Sequence, residues 1–453
     1  MVVQLCPSTV DGILDFKLTK EPGRPPQFLP KPFLRTEELP AVGHDASEAG
    51  KWVRSYGQTL WSQLRSNDEV RAALDRALGL AAGECQPLYF HLMGPRAELF
   101  NWEMLCDSDK DRFLALDRRW PIGRIAEPGQ DLALASPRCD GTLRIMAVLS
   151  ALGVPAREEW EGIFQAVRDA RADGLRIELR VLVSEQDLFN ELRGRADGNP
   201  SELTVRAVPD RSVDVEFEIG RFAPHILHLF CHGSAGHGQS RLEFATPNDW
   251  RPAAAATAGS VVLHAENLVQ ALHSIWLVVL NCCEGAAAAP DVYSLALSLV
   301  ANGVPAAIGM REPVNVLAAN EFSRVFYRAL CTEVRERLRS VAGRAEPAEV
   351  EIEWTGMLHE PRRALAEQHR NDPANNREWT LPVLYVRSEP FNVTVAVPRA
   401  GTEARDRDLE PPGHVTEEDA SVTFTIEGLL RFLPPDTPVG VLEELRRRLP
   451  VSR

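Results

Sequence analysis

Two segments stand out in the alternation of apolar and polar positions. Residues 224–234 read PHILHLFCHGS, and residues 275–285 read IWLVVLNCCEG. In each, a short aliphatic run ends in side chains with chemistry to offer. Runs of this length without polar alternation read as strands buried on both faces, the pattern of a parallel sheet. Similar runs predict strands over 143–152, 175–183, 203–208 and 304–309. Helical spacing lies between them. Trp160, Ile163, Phe164 and Val167 mark a helix over 158–172, and further helices are expected over 184–192, 265–272 and 293–301. Ser184 is the expected N-cap of the second of these. Strand alternating with helix predicts an α/β fold with a mostly parallel sheet and right-handed crossovers.

The flanking regions are patterned differently. Residues 1–19 read as an edge hairpin, and 20–47, rich in Pro, Gly and charge, as a wrapping loop. Trp52, Val53, Tyr56, Leu60, Trp61 and Leu64 recur at helical spacing. A second helix is expected over 68–80, closed by Gly83. A strand over 88–92, a short helix over 102–105 and a hairpin through 113–116 follow. After the His segment, SAGHGQSRLEF reads as a mobile glycine loop, with 242–244 pairing with 260–263 and PAAAATA at 252–258 as a loop insert. Long and short helices are expected over 316–335 and 362–369. Residues 398–420 carry many charges and Pro411, Pro412 and Gly413, and read as a linker. Residues 421–453 pattern as one strand and two short helices, too little for a robust core of their own. The expected domains are a supporting part over 1–140, a catalytic part over 141–390, a linker over 391–420 and a tail module over 421–453.

Composition narrows the function classes. At 453 residues, 44% hydrophobic and 25% charged, the chain has the makeup of a water-soluble globule. A net charge of −14 disfavours nonspecific binding to nucleic acid or anionic membrane. Asp11, Asp15 and Lys17 interrupt any leader-like run near the start, and no membrane-length apolar stretch occurs. The eight cysteines are scattered apart from Cys282–Cys283, which excludes a disulfide scaffold and suits a reducing cytoplasm. No G-x-x-x-x-G-K-[ST] loop occurs, so no nucleotide is implied. Cys231, His232, His237, Cys282 and Cys283 could supply metal ligands, but adjacent cysteines on one straight strand meet one ion awkwardly. Neither a cofactor nor a metal is expected.

The chemistry concentrates at the ends of the two marked strands. Sites in open α/β sheets lie at the carboxyl ends of strands, so His232 and Cys283 should face one crevice. The thiolate is the nucleophile of a cysteine, and a neighbouring imidazole can take the thiol proton and return it to a leaving group. A His some ~50 residues upstream of the Cys is the caspase spacing. Gly233 leaves room for a substrate carbonyl, and the backbone N–H groups of Gly233 and Cys283 could form an oxyanion hole. His228 reads as structural and His237 as incidental. Glu312 and Asp291 are the acids that could line a pocket for a substrate Arg or Lys. Each could equally be a surface or helix-capping carboxylate, Asp291 for the helix near Tyr293.

These segments resemble the CHAT family of caspase-like proteases. Its members carry a strand ending in H-x-x-G-H-G and another ending in L-S-A-C-E-x-G. Here the first is His228-Leu229-Phe230-Cys231-His232-Gly233, and the second is Leu280-Asn281-Cys282-Cys283-Glu284-Gly285. Cys231 and Cys282 depart from the usual Gly and Ala. Trp102, Glu103, Leu105, Phe113, Leu114, Leu116, Trp120, Pro121 and Arg124 match a further pattern, in which Glu103 reads as a structural ion-pair partner of a nearby Arg. Phe322, Phe326 and Leu330 on a long helix, and Trp379, Pro382, Val383, Leu384 and Tyr385, extend the likeness to roughly residues 10–388. The resemblance implies a caspase-like three-layer α/β/α sandwich with a small C-terminal appendage. It implies a cysteine endopeptidase with Cys283 as nucleophile and His232 as base, acting on a protein substrate as a dyad. It points to a bacterial defence or cell-death system with a gasdermin-like partner. Low basal activity is expected, relieved by a sensor or adaptor acting through 421–453 or by cleavage near 234–260. Two alternatives stand beside it: a catalytically silent scaffold, and a redox sensor at Cys282–Cys283.

Overall fold

The structure is a computed structural model. From Val2 to Ala396 it describes all residues except 8–12, 20–26, 29–33, 36–48, 67, 80–82, 93–97, 127–135, 199, 237–238, 251–260, 282–293, 313, 345 and 369–371. Side chains before Trp52 lie outside the description. So do the loop insert at 252–258, most of the expected linker and the tail module.

The N-terminal strands are β1 (Val2–Pro7), β2 (Ile13–Thr19), β3 (Gln27–Phe28), β4 (Leu34–Arg35) and β5 (Leu88–Leu92). A small hairpin of β6 (Cys106–Asp107) and β7 (Arg112–Phe113) follows, then β8 (Ile122–Ile125) and β9 (Arg138–Cys139). The middle of the chain supplies β10 (Thr142–Leu149), β11 (Arg176–Val183), β12 (Leu203–Ala207) and β13 (Ile226–Phe230). Next come β14 (His232–Gly236), β15 (Gln239–Phe244), β16 (Val261–His264), β17 (Leu277–Leu280) and β18 (Ala306–Met310). The last described strands are β19 (Ala348–Glu351), β20 (Pro382–Val386) and β21 (Asn392–Val395).

One sheet organises the molecule, in the order β12-β11-β10-β13-β17-β18-β20-β8-β5-β1-β2-β3, with β4 on β2. From β12 to β18 every pairing is parallel. β18 against β20 is antiparallel, and so are the pairings of β2 with β1, β3 and β4 at the far edge. Between them β20, β8, β5 and β1 run parallel to one another. This is an α/β protein with a largely parallel sheet. The buried runs explain it. All of Ile226–Phe230, Leu277–Leu280 and Ala306–Met310 are buried, as strands covered on both faces must be.

Strands on both sides of residue 140 hydrogen-bond into this sheet. Residues 1–397 form one compact unit. Beyond residue 390, where a linker was expected, β21 pairs with β19 and with β9.

The helix Arg157–Ala172 packs against the long helix Val316–Ser340. Trp160, Ile163 and Val167 on the one and Phe322, Phe326 and Leu330 on the other are all buried, two stripes at helical spacing. Gly162 lets the two approach: a Cβ there would lie 3.2 Å from Cβ of Arg324. The first helix ends in a Schellman motif. Leu175 N–H donates to the Ala170 carbonyl at 3.0 Å and Gly174 N–H to Arg171 at 2.8 Å, with Gly174 at φ +88°.

Several local expectations are corrected. The helix expected to begin at Ser184 is Gln186–Ala196, preceded by Glu185, and the Ser184 hydroxyl donates to the Leu149 carbonyl at 3.4 Å. The expected mobile loop is a hairpin. β14 pairs antiparallel with β15 from His232↔Glu243 to Gly236↔Gln239, and β15 pairs with β16. The helix Leu295–Ala301 is capped by Ser294, whose hydroxyl accepts from Leu297 N–H at 3.3 Å, so the capping role considered for Asp291 is filled. A helix over Ser212–Phe222, which no expectation covered, precedes β13.

Candidate active site

β13 and β17 are neighbours, parallel and in register, Ile226 opposite Leu277 and Leu229 opposite Leu280. Their carboxyl ends therefore lie side by side. Asn281 N–H donates to the Leu229 carbonyl at 3.0 Å and carries the ladder one residue past β17. The chain leaves these two ends toward His232 and toward Cys283. Cys282, Cys283 and Asp291 lie outside the described residues.

His232 is half-buried at the start of β14. Its Nε2 lies 2.8 Å from the carbonyl oxygen of Leu152. A carbonyl only accepts, so Nε2 carries the hydrogen and Nδ1 is left as the basic nitrogen of the neutral ring. The segment holding that carbonyl is itself fixed. Ser150 N–H donates to Phe230 O at 2.7 Å, and the Ser150 hydroxyl donates to Ala245 O at 2.6 Å. Ala245 N–H returns a bond to Ser150 O at 3.1 Å, and Trp250 Nε1–H donates to Ala151 O at 3.2 Å. The orienting partner of the His is thus a backbone carbonyl at the tip of the next strand, β10. No side-chain pattern in the sequence announces it. Gly233, the other residue expected here, follows in β14 opposite Leu242.

β18 is parallel to β17 and ends at the same edge. Two residues beyond it, Glu312 is partly buried and forms an ion pair with Arg377 at 2.7 Å. The acid expected to meet a substrate cation thus already holds a cation of the chain.

Behind this edge lies a buried polar cluster. Arg124 and Glu103 form a fully buried ion pair at 2.7 Å, the structural pair expected of Glu103. Burial alone would push the Glu103 carboxyl up, but Arg124 outweighs it and holds the carboxyl below its ordinary range. Glu98 accepts from the Tyr385 hydroxyl at 2.6 Å and from Ser294 N–H at 3.3 Å, and burial pushes its carboxyl up. Arg311, also buried, donates to the Glu98 carbonyl at 2.8 Å.

His228 is fully buried, 2.9 Å from Glu159. It is structural, as expected, but its neighbour is a carboxyl group rather than backbone. Among the described residues no cluster of three or more His, Cys, Asp or Glu could hold a metal ion, and no helix is long and apolar enough to cross a membrane.

Fold and strand-end geometry define an α/β protein that presents a His from the carboxyl edge of a largely parallel sheet. The CHAT domain family model matches residues 54–347, more than half of the chain, and the chain belongs to the CHAT-domain family. Comparison with curated proteins finds no match. Among solved structures, two of the Saccharomyces cerevisiae separase–securin complex are similar at 12% identity, with TM-scores of 0.35 and 0.34. They align over 74% of this chain, which spans only 18% and 17% of the matched chains.

Proposed function

We propose that this protein is a cysteine endopeptidase with a caspase-like α/β/α sandwich and a His232–Cys283 dyad. The observation that carries the reading is the pairing of β13 with β17: the strands leading to base and nucleophile are adjacent, parallel and in register. The contact of His232 Nε2 with Leu152 O adds to it, because it leaves Nδ1 free to act as base.

In this mechanism Nδ1 of His232 takes the Cys283 thiol proton. The thiolate attacks the scissile carbonyl, and backbone N–H groups of Gly233 and Cys283 receive the oxyanion. The imidazolium, steadied by the Leu152 carbonyl, protonates the leaving amine. The same Nδ1 then takes a proton from water, which frees the acyl group and restores the thiol.

The substrate is a protein cut after Arg or Lys, with Glu312 or Asp291 lining the pocket. For Glu312 to do so Arg377 must yield. Arg377→Ala should then lower KM for basic substrates at unchanged kcat, and an unchanged KM removes Glu312 from the pocket. The setting is a cytoplasmic bacterial defence or cell-death system with a gasdermin-like substrate, and 421–453 receives an activating sensor.

The test is a peptide library digested by the purified chain and by Cys283→Ala, with new termini read by mass spectrometry. Cuts made only by the unmodified chain, and lost in His232→Ala, are expected. Identical peptide sets from all three, with candidate partner proteins added, would overturn the reading in favour of a silent scaffold.

A further inference from the structure

Glu159 has no part in the mechanism above, yet it is fully buried. It sits on the first turn of the Arg157–Ala172 helix. Its Oε1 gathers groups from three other elements. Asn281 Nδ2 donates to it at 2.8 Å, and the Ser323 hydroxyl of the long helix donates to the same oxygen. His228 Nε2, from β13, lies 2.9 Å away. Asn281 Nδ2 also donates to the Ala319 carbonyl at 3.2 Å. None of Glu159, His228, Asn281 and Ser323 is more than 2% exposed.

A buried carboxyl group carries a desolvation penalty that an apolar residue on the same helix face would not. Its position suggests what it contributes. His228 belongs to the strand that leads to His232, and Asn281 is the last residue before Cys282 and Cys283. One oxygen atom therefore touches the middle of the strand that leads to His232 and the residue that ends the strand leading to Cys283. We infer that Glu159, acting through Asn281, is a positioning residue: it fixes the end of β17 against the body of β13, so that the nucleophile departs in reach of its base. The inference rests on the dyad reading. Ser323 supplies a graded comparison: its hydroxyl binds the same oxygen and also accepts from Asn281 Nδ2 at 3.1 Å, but it belongs to neither strand and its removal leaves the Glu159–Asn281 bond in place. Glu159→Gln supplies another. It keeps Oε1 as acceptor and changes only Oε2, which has no hydrogen-bond partner.

The experiment compares Asn281→Ala, Glu159→Ala, Glu159→Gln and Ser323→Ala with the unmodified chain. It measures kcat and KM on a peptide the unmodified chain cuts, the rate of Cys283 alkylation by iodoacetamide, and Tm. Displacing a reacting group by about 1 Å costs on the order of 100-fold. Asn281→Ala and Glu159→Ala should lose kcat on that scale with little change in KM. Glu159→Gln should recover most of the loss, and Ser323→Ala, which removes one partner of Asn281 but keeps its bond to Glu159, should lower Tm at a much smaller cost in kcat than Asn281→Ala. Unaltered kcat and alkylation in Asn281→Ala would overturn the inference. So would a kcat loss in Ser323→Ala equal to that in Asn281→Ala, which marks general loosening. Should Glu159→Ala fail to fold, Asn281→Ala and Glu159→Gln still decide. Should the unmodified chain cut nothing, the peptidase reading fails while this inference remains testable: slower Cys283 alkylation in Asn281→Ala than in Ser323→Ala supports it, and equal rates overturn it.

Discussion

His225 shows how one side chain can couple this fold to pH. It is buried at the entry to β13, with its ring stacked on Trp276 at a centroid separation of 4.3 Å. Arg144 N–H donates to its Nδ1 at 3.2 Å. Burial, followed by the Arg144 charge, pushes its pKa down to about 3. The folded state therefore refuses a proton that the unfolded chain accepts below about pH 6.5. Stability from this residue is complete above that pH and is lost toward about pH 3, at about 1.4 kcal/mol per pH unit. His225→Phe keeps a ring on Trp276 and removes the titration. Its stability deficit against the unmodified chain, read from urea midpoints, should shrink on going from pH 6.5 to 4.5; a constant deficit would refute the coupling. At this scale the sequence was legible where chemistry sits on a motif. The placement of His232 just past a strand end and the burial of His228 within that strand could be read from the apolar run and the glycine that follows it. Glu159 and the Leu152 carbonyl could not, since their partners lie 122 and 80 residues away and neither has a local signature.

Elements were legible where their periodicity was unambiguous. The buried runs became β10, β11, β13, β17 and β18, and 3.6-residue spacing located the helices over Ala49–Arg65, Arg157–Ala172 and Val316–Ser340. The helix Ser212–Phe222 shows why a pattern can mislead. Its sequence SVDVEFEIGRF alternates apolar and acidic residues as a half-buried strand would. Only Val215 and Ile219, four apart, are fully buried, while Val213 and Phe217 remain 57% and 63% exposed. Alternation with period two contains the i, i+4 pair a helix needs, so period alone does not separate the two. A different local rule is broken at Gly57, inside the Ala49–Arg65 helix, where glycine is normally unfavourable by about 1 kcal/mol against alanine. A Cβ at that position would collide with the Met104 carbonyl, so the helix and the Trp102–Met104 turn touch backbone to backbone. Gly57→Ala should thus destabilise by about 1–3 kcal/mol, the cost of overpacking, despite the better helix propensity. A raised Tm in this variant would show that the contact yields freely.

For the whole molecule, the decisive feature is that the sheet does not stop where the sharpest motifs do. β20 sits between β18, from the half of the chain with the candidate site, and β8, from the first 140 residues. The buried groups cross the same line. Arg124 and Glu98 come from the N-terminal part, and Tyr385, Arg311 and Ser294 from the part after it, and Glu98 alone contacts Tyr385 and Ser294. A fragment beginning at residue 136 would expose the edge of β20. It would also leave the buried Tyr385 hydroxyl without its acceptor and Arg311 without the carbonyl it binds, each lost partner costing about 1–3 kcal/mol. Several such losses are comparable with the whole stability of a domain, about 5–15 kcal/mol. The fragment 136–453 should therefore be insoluble or lack a cooperative melt when expressed alone. Co-expression with 1–135 should restore a soluble complex in which the two pieces elute together. A sharp, independent melt of 136–453 would instead establish the first 140 residues as a separable supporting domain. That outcome would also place the whole candidate site, with β13, β17 and Glu159, on a scaffold that needs no help from β8.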